Sequence, residues 1–149
     1  MALIGWLPTY SVHLPPIDAQ HKYLFDLLNQ LHDAVVNKES THETLAKTVE
    51  ELIQYTKTHF ELEERFLESM QYPDIAAHKA QHEALTTKVV KLQREFAAGN
   101  TAIAGELMNF MLRWLTDHIL HADKRYGAFL KGGRIWGKET GRQIPGGLI

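Results

Sequence analysis

The sequence predicts an all-α fold, an antiparallel up-down four-helix bundle with an N-terminal loop and an irregular C-terminal tail. Three observations carry this prediction. Four segments of the 149-residue chain place apolar residues at steps of three and four, the period of one buried helix face. Turn and cap residues mark the ends of those segments independently of the stripes. The links between them are short, which makes consecutive helices antiparallel neighbours.

The first stripe runs His21, Leu24, Leu28, Leu31, Val35, behind Pro15-Pro16 and with Asp18 as its expected cap. The second runs Leu45, Val49, Leu52, Thr56, His59, Glu63, Phe66, Met70, and Ser40-Thr41-His42-Glu43 has the form of a capping box at its start. After Pro73, which suits a first helical turn, the third runs Ile75, His78, His82, Leu85, Val89, Leu92, Phe96. Gly99-Asn100 separates it from the fourth, Ile103, Leu107, Met111, Trp114, His118, which continues as Asp123, Tyr126, Leu130 only across a step of five residues. Five residues of regular helix turn about 500°, so His118 and Asp123 share a face only if the helix carries one extra residue as a π-bulge or the aspartate approaches from the side. Gly132-Gly133 is expected to stop the last helix.

Composition fits one domain, taken as residues 1–130, followed by a glycine-rich tail over 131–149. Hydrophobic residues make up 44% of the chain, enough for a single core, and no apolar run is long enough for a membrane span. The opening Met1 to Trp6 lacks a basic segment followed by an apolar one, which predicts no secretory signal and a cytoplasmic location. Zero cysteines exclude disulfides and thiolate metal sites, and a net charge of −2 with mixed signs makes no case for nucleic acid. The tail contains Ile135, Trp136, Leu148 and Ile149, which are candidates for anchoring it to the bundle or to a partner.

Seven imidazole and carboxylate side chains interrupt the apolar stripes: His21, His59, Glu63, His78, His82, His118 and Asp123. Singly, an inward histidine is an ordinary hydrogen-bonded core residue, and the remaining four, His13, His32, His42 and His121, fall in loops or off the stripes. Convergence is what points to metal, because all four helices contribute, each from its apolar side. Imidazole and carboxylate without sulfur suit iron, copper, nickel or zinc. Seven ligands are too many for one ion. Two octahedral ions need twelve donor positions, and five imidazoles, two bridging carboxylates and one bridging solvent oxygen fill all but one of them. Two divalent ions would also nearly neutralise the carboxylates and a bridging hydroxide, which allows the cluster to be buried.

His59-Phe60-Glu61-Leu62-Glu63-Glu64, His78-x-x-x-His82, His118-Ile119-x-x-x-Asp123 and the leading Ile17-Asp18-Ala19-Gln20-His21-Lys22 resemble the signature of the hemerythrins, specifically the single-domain bacterial ones, from about Trp6 to Leu130. The resemblance implies two non-haem iron ions with a bridging oxo or hydroxo group. By it, His78, His82 and His118 complete one iron, His21 and His59 hold the other, and Glu63 and Asp123 bridge them. The iron with two histidines then has the vacancy, which accepts dioxygen. Phe60, Trp114, Leu115 and Ile119 match positions that line the family's oxygen pocket, and Gln20 and Tyr126 are candidates to support the ligands from behind.

The leading expectation is therefore an oxygen-binding protein rather than an enzyme, a monomer that stores dioxygen or delivers it to an oxygen-consuming enzyme. The alternatives are a di-iron enzyme that reduces peroxide or nitric oxide, and an oxygen or redox sensor. The chain carries no flavin or other electron-donating motif, which lowers the enzymatic reading. Paired Glu-x-x-His motifs of ferritin-like oxidases are missing.

Overall fold

The computed structural model describes residues 2–133. Helix α1 spans Pro15–Val36, α2 His42–Ser69, α3 Ile75–Ala97 and α4 Ile103–His118. The last continues through a π-helical segment, Ile119–Asp123, into α5, Lys124–Gly133, so the chain builds four long rods. Links of five residues join the first three pairs of rods. Each helix packs on its neighbour in sequence and α4 closes back on α1, the up-down four-helix bundle expected.

The helix starts differ from expectation in detail. Helix α1 begins at Pro15, whose missing N–H suits the first position, and Asp18 does not cap it. Asp18 instead holds the lead-in, accepting from the Ser11 hydroxyl at 2.6 Å and from the Val12 N–H at 2.9 Å. Thr41 caps α2 by accepting from the Thr44 N–H at 3.1 Å. The third helical position is thus a threonine, and no reciprocal glutamate completes a box. Pro73 lies before α3 rather than in its first turn, because Asp74 occupies the capping position. Ala98 and Gly99 end α3, and Gly99 takes φ +114°, a conformation that costs glycine no Cβ clash.

The stripes bury as read, with Val35, Phe66, Met70, Ile75 and Trp114 only half-buried. Leucines such as Leu24, Leu28, Leu31 and Leu52 are fully enclosed, each contributing about 1.5–3 kcal/mol of burial free energy. The apolar interior is divided in two. A long cluster holds Leu24, Phe60, Leu85, Leu115 and Ile119, and a smaller one at the far end holds Ile17, Leu67, Tyr72, Tyr126 and Leu130. On α1, α2 and the fourth rod the sequence passes from one cluster to the other across the polar residues of the stripe. The polar residues therefore form a layer across the bundle between two apolar plugs.

The lead-in straps the outside of the small plug and the flank of α1. Asn29 clamps the backbone of Ile4 through two hydrogen bonds of 2.9 and 2.8 Å, and Trp6 and Tyr10 pack on Phe25. Lys124 donates to the Thr9 carbonyl at 2.9 Å, tying the strap to the start of α5. His13 sits at φ 62° in this segment and is exposed. The anchoring residues considered in the tail, Ile135, Trp136, Leu148 and Ile149, lie outside the described residues.

Candidate metal centre

The step of five between His118 and Asp123 is taken up by π-helix over Ile119–Asp123. One extra residue in the turn lets both side chains face the interior, with His118 Nε2 3.1 Å from Asp123 Oδ1. All seven polar residues are buried, none more than 5% exposed.

Five of them, Glu63, His78, His82, His118 and Asp123, bring one donor atom each within 4.8 Å of all the others. Their neighbouring separations are nearly uniform. His78 Nε2 lies 3.0 Å from Glu63 Oε1 and 3.1 Å from Asp123 Oδ1, His82 Nε2 is 3.1 Å from Glu63 Oε1, and the Nε2 atoms of His82 and His118 are 3.1 Å apart. Donors in adjacent positions of an octahedron with bonds of about 2.1 Å stand about 3.0 Å apart. The second group is looser: His21, His59 and Glu63, with His59 Nε2 3.5 Å and His21 Nε2 3.8 Å from Glu63 Oε2. Asp123 Oδ2 joins this side at 3.2 Å from His21 Nε2. Each carboxylate thus turns one oxygen to each group, as a bridging ligand must.

Proton positions test whether a cation fits. Glu64 Oε2 stands 2.8 Å from His82 Nδ1 and accepts from it, so His82 donates outward from Nδ1 and turns Nε2 to the interior. The amide oxygens of Gln81 and Gln20 accept likewise from Nδ1 of His118 at 2.9 Å and of His59 at 2.6 Å. The Nε2 atoms of His82 and His118 then face each other across 3.1 Å in the interior, an arrangement suited to a shared cation. His21 Nε2 and both Asp123 oxygens are buried and make no well-directed hydrogen bond among the described residues, meeting one another and the His78 and His118 rings only as ion-pair contacts. Such orphaned groups cost free energy unless something coordinates them. The residues fit a pair of metal ions.

Electrostatics of the metal-free site lead the same way. Burial would lower His21 and His78, but the Asp123 and Glu63 carboxylates outweigh it and hold both at about 9. His59 goes the other way, pushed down to about 4 by burial despite Glu63 and with the His21 charge beside it. Burial would raise Glu63 and Asp123, yet the surrounding imidazoles keep both carboxyls below their usual range. Two imidazolium charges therefore stand in for cations against two carboxylates. Tyr126 is raised well above its ordinary value, first by burial and then by the Glu63 and Asp123 charges, so it remains a proton donor, giving its hydrogen to Glu63 Oε2 at 2.7 Å.

Gln20 and Tyr126 take the supporting places considered for them. Glu64 and Gln81 were missed. A signal was present in the repeated dipeptides Gln20-His21 and Gln81-His82, in each of which the glutamine reaches a histidine on another helix.

Phe60 stacks on His82 at 3.8 Å and 2°, and Trp114 on His118 at 4.4 Å and 14°. These two rings cover the backs of imidazoles in the three-histidine group, while Leu115 and Ile119 lie deep in the long apolar cluster. His13, His42 and His121 are exposed, and His32 is half-buried, away from the cluster.

Residues 14–130 match the family model described as the hemerythrin HHE cation binding domain. The chain is 35% identical over 131 residues to a bacteriohemerythrin of Methylococcus capsulatus, covering 87% of this chain and 98% of that one. It is 36% identical over 126 residues to a bacteriohemerythrin of Pseudomonas aeruginosa, covering 85% and 80%. A crystal structure of wild-type hemerythrin superposes with a TM-score of 0.79 at 34% identity, over 85% of this chain and 97% of that one. By its sequence, its bundle and its buried imidazole and carboxylate layer, this chain belongs to the hemerythrin family.

Proposed function

We propose that the protein binds dioxygen reversibly at a non-haem di-iron centre, with His78, His82 and His118 on one iron, His21 and His59 on the other, and Glu63 and Asp123 bridging. The observation that carries the reading is the unequal donor count of two groups sharing both carboxylates. Five protein atoms converge on one side and four on the other, so with one solvent oxygen shared between two six-coordinate ions the first set would be complete and the second would keep one position free. That position belongs to the His21 and His59 side.

When bound, a di-iron pair supplies two electrons that dioxygen can take up and return. The chain's own residues provide the conditions for return. Glu63 and Asp123 offset the charge of the two ions, which lets the pair sit in a layer closed on both sides by apolar plugs. Gln20, Gln81 and Glu64 hold three imidazoles with Nε2 turned inward. Tyr126 commits its proton to Glu63 Oε2, the carboxylate oxygen turned to the His21 and His59 side. Leu115 and Ile119, 3% and 0% exposed, restrict water, with Phe60 and Trp114 as the outer wall of the same pocket.

The reading extends to a monomer in the cytoplasm that stores dioxygen or hands it to an oxygen-consuming enzyme, acting as a carrier rather than an enzyme. No helix among the described residues is long and apolar enough to cross a membrane. The test is visible spectroscopy of anaerobically reduced, metal-quantified protein exposed to dioxygen and then purged with inert gas. A band that appears at two irons per chain and vanishes on purging is expected. Direct conversion to a stable ferric spectrum would overturn reversible binding in favour of an oxidase, reductase or sensor.

A further inference from the structure

Three imidazoles of the site have a side-chain partner on Nδ1, and the partners are not alike. His59 donates to the neutral amide of Gln20 at 2.6 Å and His118 to that of Gln81 at 2.9 Å, whereas His82 donates to the Glu64 carboxylate at 2.8 Å. Glu64 lies on α2 directly after Glu63, and its side chain is 25% exposed. It lines a groove of about 660 Å³ between α2 and α3, together with Lys57, Phe60, Lys79 and His82. Contact with water there lets it carry a charge without the full cost of burial, while His82 itself is 2% exposed. A hydrogen bond with an ionised acceptor is about twice as strong as one between neutral groups, and a carboxylate partner makes an imidazole a more basic ligand.

We propose that Glu64 is a positioning residue that sets the redox balance of the centre through His82. This rests on the di-iron reading above. By withdrawing the Nδ1 proton toward itself, the carboxylate increases the electron density that His82 Nε2 offers to the iron of the three-histidine group. That donation favours ferric over ferrous iron, and so favours dioxygen uptake, which draws electrons from the pair. The two amides at His59 and His118 hold ring orientation with no added charge. Glu64 thus confers charge at one ligand only, on the side with five protein donors.

The experiment compares wild type with Glu64→Gln, Glu64→Ala and Gln81→Glu, each loaded with iron for potentiometry and, separately, with zinc for chelator competition. Glu64→Gln keeps an acceptor oxygen for His82 and removes only the charge. The ferric/ferrous midpoint of Glu64→Gln should move to a more positive potential, oxidation in air should slow, and zinc affinity should fall by about tenfold. Gln81→Glu, which places a carboxylate behind His118, should move the midpoint the opposite way. Equal shifts in Glu64→Gln and Glu64→Ala would support charge as the cause. A midpoint and zinc affinity unchanged in Glu64→Gln but altered in Glu64→Ala would overturn the proposal, leaving only a hydrogen bond of ordinary orienting type. Zinc affinity does not depend on dioxygen chemistry, so failure of reversible oxygen binding and failure of this proposal are read separately.

Discussion

Tyr126 donates its phenolic hydrogen to Glu63 Oε2 over 2.7 Å, joining α5 to α2 across 63 positions of sequence inside the bundle. The bond matters most in the metal-free protein, where that oxygen otherwise faces only His59 and His21 at 3.5 and 3.8 Å. Tyr126→Phe should therefore destabilise the metal-free protein by about 1.5–3 kcal/mol, the range for a hydrogen bond to a charged group. With metal bound, Oε2 has a cation beside it and the loss should shrink. Urea denaturation of both forms checks this, and an equal loss in the two would assign the effect to packing instead.

Metal loading should release protons. His21 and His78 are held at about 9 in the metal-free site, so both carry a proton at pH 7, and both must lose it to become ligands. Loading at pH 7 is expected to release about two protons per chain from these imidazoles, and metal affinity should climb with pH until about 9. The stability linkage has a definite sign. Because both folded values are raised, their contribution to metal-free stability is complete below about 6.5 and is lost as pH rises through about 9. The metal-loaded protein, whose imidazoles are already neutral, should not share that alkaline loss. Calorimetry in buffers of different ionisation enthalpy measures the protons, and a count near zero would show neutral histidines in the metal-free site.

Much of this site was legible because helical periodicity is a local property of sequence. His78 and His82 read as one helix face directly, and the misfit of five between His118 and Asp123 could be resolved by a π-turn, which the structure contains. The supporting partners were harder. Gln20 and Gln81 each serve an imidazole on a different helix, and no stripe reveals what lies across an interface. Glu64 is off the buried stripe of α2 altogether, reaching His82 from the side. Cap positions failed for a different reason: Asp18 has the right residue type for a cap but is drawn into the Ser11 and Val12 bonds of the lead-in, a competition settled by tertiary contacts.

Leu115 is 3% exposed and packs in the cluster that contains Phe60 and Ile119. Leu115→Ala should cost about 2–5 kcal/mol, the range for a buried leucine that leaves a cavity. If the side chain also excludes water from the open side of the centre, the variant should pass to the ferric form faster than wild type once oxygenated. Stopped-flow spectra of the two proteins decide this. A destabilised variant with an unaltered oxidation rate would restrict Leu115 to a packing role.

Gly127 and Gly105 should respond oppositely to alanine. Both lie in helices, where replacing glycine by alanine is worth up to about 1 kcal/mol of propensity. At Gly105 the new methyl would meet only Val35 Cγ1 at 3.8 Å, an ordinary contact, so the gain should survive. At Gly127 it would stand 2.9 Å from the Val12 carbonyl oxygen and 3.4 Å from the Val12 Cβ. That oxygen is backbone and cannot rotate away, and the Val12 N–H is committed to Asp18 at 2.9 Å. The lead-in must therefore lift from α5, straining the Lys124 bond to the Thr9 carbonyl. Overpacking of this kind costs about 1–3 kcal/mol, which exceeds the propensity gain. Urea denaturation should place Gly105→Ala above wild type and Gly127→Ala below it, with faster proteolytic cleavage in the lead-in of the latter. Stabilisation of Gly127→Ala with an uncut lead-in would show that the strap has slack the structure does not suggest.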